Sequence, residues 1–235
     1  MFQVRPNEAR GSANLGWLDS KHSFSFGNYY DAKHMGFRNL RVINEDRVWP
    51  SQGFGTHGHR DMEIISYVIS GSLEHRDSMN NGSVLRSGDV QRLSAGTGIH
   101  HSEFNASSED IVHFLQIWIL PEKGGLTPGY EERSFTDQKR NQLRLLVSGN
   151  SEDDALYINS PIKLFGSELD TGIQLQYTFT ENRHGWIQVI RGSLELSTST
   201  KIQNLNIGDG IAISNLSDIN ITARMDCEFI LFDLP

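Results

Sequence analysis

The sequence predicts an all-β protein built as two double-sheet jelly-roll barrels in one chain. Three observations predict it. Hydrophobic residues alternate with a period of two along most of the 235-residue chain, which is the signature of half-buried strands. Convincing helical periodicity is scarce. A strand–turn–strand signature also occurs twice, as expected when a fold is built twice.

The strands can be taken in order. His22-Ser23-Phe24-Ser25-Phe26 alternates cleanly, and Leu40-Arg41-Val42-Ile43 is short and β-branched. Ile64-Ile65-Ser66-Tyr67-Val68-Ile69 is a longer run that stops at Ser70-Gly71. Asn81-Gly82 suits a type I′ hairpin turn, because both residues tolerate positive φ. His113 to Leu120 is the most apolar strand, and Pro121 ends it. Short helical turns are expected only near Thr136–Gln142 and Leu169–Gly172.

The segment Pro121–Glu132 contains Pro121, Gly124, Gly125, Pro128 and Gly129, and it reads as a connector. It places a boundary between an N-terminal barrel, residues 1–125, and a C-terminal barrel, residues 126–235. The repeat supports that division. Val68-Ile69-Ser70-Gly71-Ser72-Leu73-Glu74 recurs as Val189-Ile190-Arg191-Gly192-Ser193-Leu194-Glu195, six of seven residues agreeing at an offset of 121. Ser87-Gly88-Asp89 recurs as Ile207-Gly208-Asp209 at an offset of 120.

Composition narrows the function classes. Hydrophobic residues make up 37% and charged residues 21%, and the formal net charge is −8. That balance argues against direct nucleic-acid binding, which calls for a basic face. No stretch approaches the ~20 apolar residues of a membrane span, and Met1-Phe2-Gln3-Val4-Arg5-Pro6 lacks the apolar run expected of a signal peptide. The one cysteine, Cys227, forms no disulfide within the chain and reads as a structural thiol on a strand. The expected location is the cytoplasm.

The chemistry concentrates in two stretches. His57 and His59, in Gly55-Thr56-His57-Gly58-His59, share one face of a strand. His101 and Glu103 share a face in Ile99-His100-His101-Ser102-Glu103. Three imidazole nitrogens and one carboxylate oxygen suit one divalent transition metal, with positions left open for chemistry. Iron is the first expectation, and manganese, cobalt, nickel, copper or zinc would also fit. Glu63 shares the parity of His57 and His59 if the strand stays regular. The pairing with Glu103 selects His101 over His100. Shifted by 121, His57 and His59 fall on Thr178 and Thr180, and Glu63 falls on His184. His101 and Glu103 fall among Ile221, Thr222, Ala223 and Arg224. The expectation is therefore a single ion, in the first barrel, and a structural role for His184.

Weaker candidates surround this set. Arg60 and Asp61 suggest an ion pair orienting an imidazole, or a rim salt bridge. Phe54 and Met62 suggest core packing before pocket wall. His22, His34, His75 and His113 show no ligand spacing and read as strand or surface histidines.

Several stretches together resemble the pirin family, whose members are bicupins. They are His22 to Asp31, Gly36 to Asp46, Gly53 to Glu63, Gly71 to Ser78 and Ser94 to Glu103. The likeness is close over residues 14–120 and looser beyond. The family's His-X-His and His-X-Glu pattern falls on His57, His59, His101 and Glu103, while the carboxylate of general cupins falls on Glu63. His100 stands where an apolar residue is common, and Ser94 replaces the proline usual in general cupins. The resemblance implies one of two roles. Bacterial members are quercetinases, which open the heterocyclic ring of a flavonol with O₂ and release carbon monoxide. In that role Glu103 is the expected catalytic base, and the partners are a flavonol and O₂. Eukaryotic members are metal-dependent, redox-sensing regulators that bind a protein partner.

Overall fold

The computed structural model describes residues 1–151 and 153–235. Its strands, in chain order, are β1 (Phe2–Arg5), β2 (Gly11–Asn14), β3 (Leu18–His22), β4 (Leu40–Val48), β5 (Gly53–His59), β6 (Glu63–Ser70), β7 (Ser72–Asp77) and β8 (Gly82–Arg86). They continue as β9 (Asp89–Ser94), β10 (Ile99–Asn105), β11 (Val112–Ile119), β12 (Gly129–Ser134), β13 (Arg144–Ser148), β14 (Leu156–Tyr157) and β15 (Lys163–Leu169). The last are β16 (Gln174–Thr178), β17 (His184–Arg191), β18 (Ser193–Ser197), β19 (Ile202–Asn206), β20 (Gly210–Ile213), β21 (Asp218–Ala223) and β22 (Cys227–Leu234). One 3₁₀ turn, Asn7–Ala9, is the only helix among the described residues. Among the described residues no helix is long and apolar enough to cross a membrane.

The strands form two compact units. The first spans Gly11–Thr136 with Leu156–Ser160, and the second spans Met1–Arg10, Asp137–Ala155 and Pro161–Pro235. In the first, a large sheet of order β12-β9-β6-β11-β4-β3-β2 faces a small sheet of order β5-β10-β7-β8. Leu18, Val48, Val68, Val112 and Phe114 from the large sheet pack against Leu73 and Leu85 from the small one. In the second, the order β1-β20-β17-β22-β15-β13 faces β16-β21-β18-β19. Apart from an isolated parallel bridge between Arg140 and Glu168, the pairings between these strands are antiparallel, so each unit is a jelly-roll barrel, as the sequence predicts.

The repeated signature has a backbone cause. Gly71 and Gly192 take φ of +81° and +68° at the tight turns between β6 and β7 and between β17 and β18. A Cβ on either would meet the backbone of Ile111–Val112 or of Asp226–Cys227 within 3 Å. Only glycine meets both demands. The Gly88 N–H donates to Val68 O and the Gly208 N–H to Val189 O, both at 3.0 Å. Asp89 and Asp209 accept from the N–H three residues earlier.

Several local expectations change. Pro121–Glu132 is not wholly a connector. β12 begins at Gly129 and pairs with β9, Tyr130 opposite Leu93. The N-terminal strand β1 takes the corresponding edge of the other barrel, against β20. The hairpin after β7 turns at Asn80 (φ 67°), not at Asn81-Gly82. Asp77 causes this by accepting from the N–H groups of Met79 and Asn81 and from the Asn81 side chain. Thr136–Gln142 and Leu169–Gly172 hold turns, not helical turns. Left-handed Asp137, Asn141 and Gly172 are incompatible with a right-handed helix. β3 stops at His22, and Phe26 only bridges back to Tyr29.

Candidate metal centre

β10 runs between β5 and β7 on the small sheet. His101 pairs with His57 across one side, and Glu103 pairs with His75 across the other. The β5–β10 register shifts between these points, since His101 faces His57 but Glu103 faces Phe54. β5 therefore carries one extra residue, a bulge that re-aims its side chains.

The imidazoles of His57, His59 and His101 offer ligand atoms that all lie within 4.8 Å of one another. Their ring centroids are 4.5–4.8 Å apart. Glu103 falls in a second, overlapping group with His101 and His75, of the same spread. His101 is thus the shared member. It is buried, whereas His100 is exposed. The His57 Nδ1–H donates to Gly55 O at 2.8 Å, which fixes the neutral tautomer's lone pair on Nε2.

Burial and neighbouring rings keep His59 and His101 neutral. Burial first, and then the neighbouring His57, push His59 down to about 4. Burial, followed by His57, His59 and His75, pushes His101 down to about 2. Neutral imidazole is the form that ligates a metal. Burial also raises Glu103 against the pull of His75 and of its hydrogen bonds. Its Oε1 accepts from Ser66 Oγ at 3.0 Å and its Oε2 from Gln116 Nε2 at 2.7 Å. Trp118 Nε1 donates to Gln116 Oε1 at 3.3 Å.

A fit test for an ion is available in the protein itself. Both ring nitrogens of His101 are buried without a hydrogen-bond partner. Such an orphan costs about 1–3 kcal/mol per group, so a buried imidazole with neither nitrogen satisfied points to a missing electrophile. Three imidazole nitrogens with an adjoining carboxylate are a suitable donor set, and a divalent ion fits.

Other sequence candidates lie elsewhere. Glu63 is buried on β6, where it accepts from Ser94 Oγ at 2.8 Å and from Asn159 Nδ2 at 3.1 Å. The β5–β6 turn, with Asp61 at φ 50°, breaks the parity that would have aligned Glu63 with the histidines. Asp61 accepts from the Gly125 N–H at 2.6 Å, so its role is to hold a loop. Phe54 packs edge-on against Trp17 but also lines the pocket beside His57 and His59, so it is a pocket wall and not only core packing, whereas Met62 packs beside Ile64, Leu93, Ala95 and Ile99. His113 pairs with Glu45, and His34 with Asp31. Buried Cys227 has its thiol pushed up to about 11 by burial.

Two residues were missed by sequence spacing. His75 is fully buried, stacks on Tyr130 with centroids 4.8 Å apart, and faces His101 at 5.4 Å. His22 lines a pocket of about 580 Å³ that also reaches His57, His59, Phe54, Gln116 and Trp118. The signal for both is cross-strand register, which a single strand's periodicity does not carry.

The second barrel offers an internal control. Anchoring on Ser72 and Ser193, strand pairing aligns His75 with Leu196, His101 with Ile219 and Glu103 with Ile221. Pairing across β21 then aligns His57 with Tyr177 and, through the Phe179 bond to Ser217, His59 with Phe179. Ser66 and Gln116 correspond to Ile187 and Leu231. The constant offset that gave Thr178, Thr180 and Ala223 fails because loops differ in length and β5 carries its bulge. His184, on β17, lies 3.0 Å from Ser214 Oγ, in a hydrogen bond.

Residues 3–119 match the family model described as Pirin, and residues 145–234 match the quercetinase C-terminal cupin domain. A protein named quercetin 2,3-dioxygenase from Escherichia coli O157:H7 is 45% identical over 100% of this chain and 99% of its own length. The chain belongs to the pirin family. Among solved pirin structures, YhhW from Escherichia coli superposes with a TM-score of 0.94 at 44% identity, covering 100% of this chain and 98% of its own. The bacterial pirin YhhW in complex with nickel(II) gives 0.94 at 43% identity, covering 100% and 99%. A quercetin 2,3-dioxygenase from Acinetobacter baumannii shares the bicupin fold at 19% identity and a TM-score of 0.79, over 98% of this chain and 85% of its own.

Proposed function

We propose that this chain is a metal-dependent dioxygenase that opens the heterocyclic ring of a flavonol such as quercetin with O₂. His57, His59, His101 and Glu103 hold one divalent transition metal in the first barrel, and the second barrel holds none. The observation that carries this reading is the junction of two features. The cluster containing the unsatisfied His101 ring opens, through His57 and His59, onto a largely apolar pocket. A volume of about 580 Å³ lies inside the range, roughly 300–1,000 Å³, of pockets that hold small organic ligands. The relatives named quercetin 2,3-dioxygenase and the nickel(II) complex of a bacterial pirin support the same reading.

An ion held by these residues would supply Lewis acidity, which lowers the pKa of a flavonol hydroxyl. The protein's own groups do the rest. Phe54 and Trp118 wall the flat substrate and keep water away from it. Glu103 takes the hydroxyl proton, because burial raises its affinity for protons while Ser66 and Gln116 fix its orientation. Gln116 links Glu103 to the pocket it lines. Both atoms of O₂ enter the ester product, and the excised ring carbon leaves as carbon monoxide.

The test is turnover of quercetin in air by metal-loaded protein. The expected result is loss of the flavonol absorbance with equimolar O₂ uptake and carbon monoxide release, abolished by a chelator. No turnover with iron, manganese, cobalt, nickel or copper overturns the proposal.

A further inference from the structure

The pocket has one wall that packing does not explain. β3 and β4 place Ser20, His22, Asn44 and Asp46 on it, each 5% exposed or less. Ser20 and His22 are two apart on one strand, as are Asn44 and Asp46 on the other, so alternate residues face the cavity. The four are direct cross-strand partners, Ser20 with Asp46 and His22 with Asn44. Ser20 Oγ donates to Asp46 Oδ1, and His22 Nδ1 lies 2.8 Å from Asn44 Oδ1. In the second barrel the pair His22–Asn44 corresponds to Leu145–Phe165, an ordinary apolar contact. A ladder of four polar side chains thus lines a pocket whose other walls include Phe54 and Trp118.

Resting on the flavonol reading above, we propose that this ladder reads the substrate's remaining phenolic hydroxyls and selects polyhydroxylated aromatics. Asp46 is the principal acceptor. A carboxylate has about four acceptor positions, and Ser20 takes one of them on Oδ1. Asn44 and His22 add a donor and a second polar contact along the same edge. A site that hydrogen-bonds a hydroxyl rejects the analogue lacking it, because its buried polar groups are then left without that partner.

The experiment is equilibrium binding to the full, metal-loaded chain under argon, read by quenching of tryptophan fluorescence. The ligands are quercetin and 3-hydroxyflavone, which keeps only the hydroxyl of the heterocyclic ring. The wild type is expected to prefer quercetin by about 10- to 100-fold, as suits a hydrogen bond to a charged acceptor. Asp46→Asn, close to isosteric, lowers that preference about tenfold or more, and Ser20→Ala lowers it less. No preference in the wild type, an unchanged preference in Asp46→Asn, or equal losses for both ligands overturns the proposal. Anaerobic binding is independent of turnover. A preference found without aerobic ring opening sinks the dioxygenase reading and leaves this one standing, and turnover without preference does the reverse.

Discussion

Where the first barrel places His57, His59, His75, His101 and Glu103, the second places Tyr177, Phe179, Leu196, Ile219 and Ile221. The strand orders β5-β10-β7-β8 and β16-β21-β18-β19 are the same, and so are the glycine turns. The interior differs. Phe179, Ile187, Leu196, Ile219, Ile221 and Leu231 belong to one continuous apolar cluster, and Tyr177 packs against it. Each such side chain stabilises by about 1.5–3 kcal/mol when buried. The first barrel gives up that stabilisation at the matching positions and carries a buried glutamate and orphaned imidazole nitrogens instead. One scaffold built twice therefore separates stability from chemistry.

The largest expected effect comes from moving the polar group across. Ile221→Glu buries a carboxylic acid with no counterpart of Ser66 or Gln116, and it should destabilise by about 4 kcal/mol. Urea unfolding checks this, and a loss below about 1 kcal/mol breaks the comparison. Next is Glu103→Gln, which keeps shape but removes the base. Quercetin turnover should fall by about 10²- to 10³-fold while the ion is retained. Full turnover with bound metal would remove Glu103 from its assigned role.

His101→Ile gives the first barrel the second barrel's residue. It should abolish metal binding yet raise metal-free stability by about 1–2 kcal/mol, because two unmade hydrogen bonds disappear. Thermal unfolding with and without a chelator reads both effects. The last comparison is in pH. The folded-state values of His59 and His101, about 4 and about 2, lie below the ordinary 6.5. The unfolded chain then binds more protons, so metal-free stability is full above about pH 6.5 and declines as pH falls toward 4 and below. Denaturation midpoints from pH 7 to pH 4 should show this in the wild type and less of it in His101→Ile.

Much of this was legible in the sequence, for local reasons. Period-2 alternation showed the strands, and the turns at Gly71 and Gly192 showed the repeat, because both are set within a few residues. The parity of His57 with His59 and of His101 with Glu103 also follows from single strands. Other features depend on pairing between distant strands. The bulge in β5 and the place of His75 opposite Glu103 are of this kind. So are the Ser20–Asp46 ladder and the true counterparts Tyr177 and Phe179. The turn at Asp61 likewise removed Glu63 from the histidine face, and only the folded backbone carries that information.

The central claim is one ion in one of two matching barrels. Anomalous diffraction from metal-soaked crystals, recorded at the absorption edge of the added ion, tests it most directly. The account predicts a single peak per chain, bonded to His57, His59, His101 and Glu103, with nothing between Tyr177 and Ile221. A peak held by His75, His101 and Glu103 without His57 and His59, a peak in the second barrel, or no peak at all would contradict it.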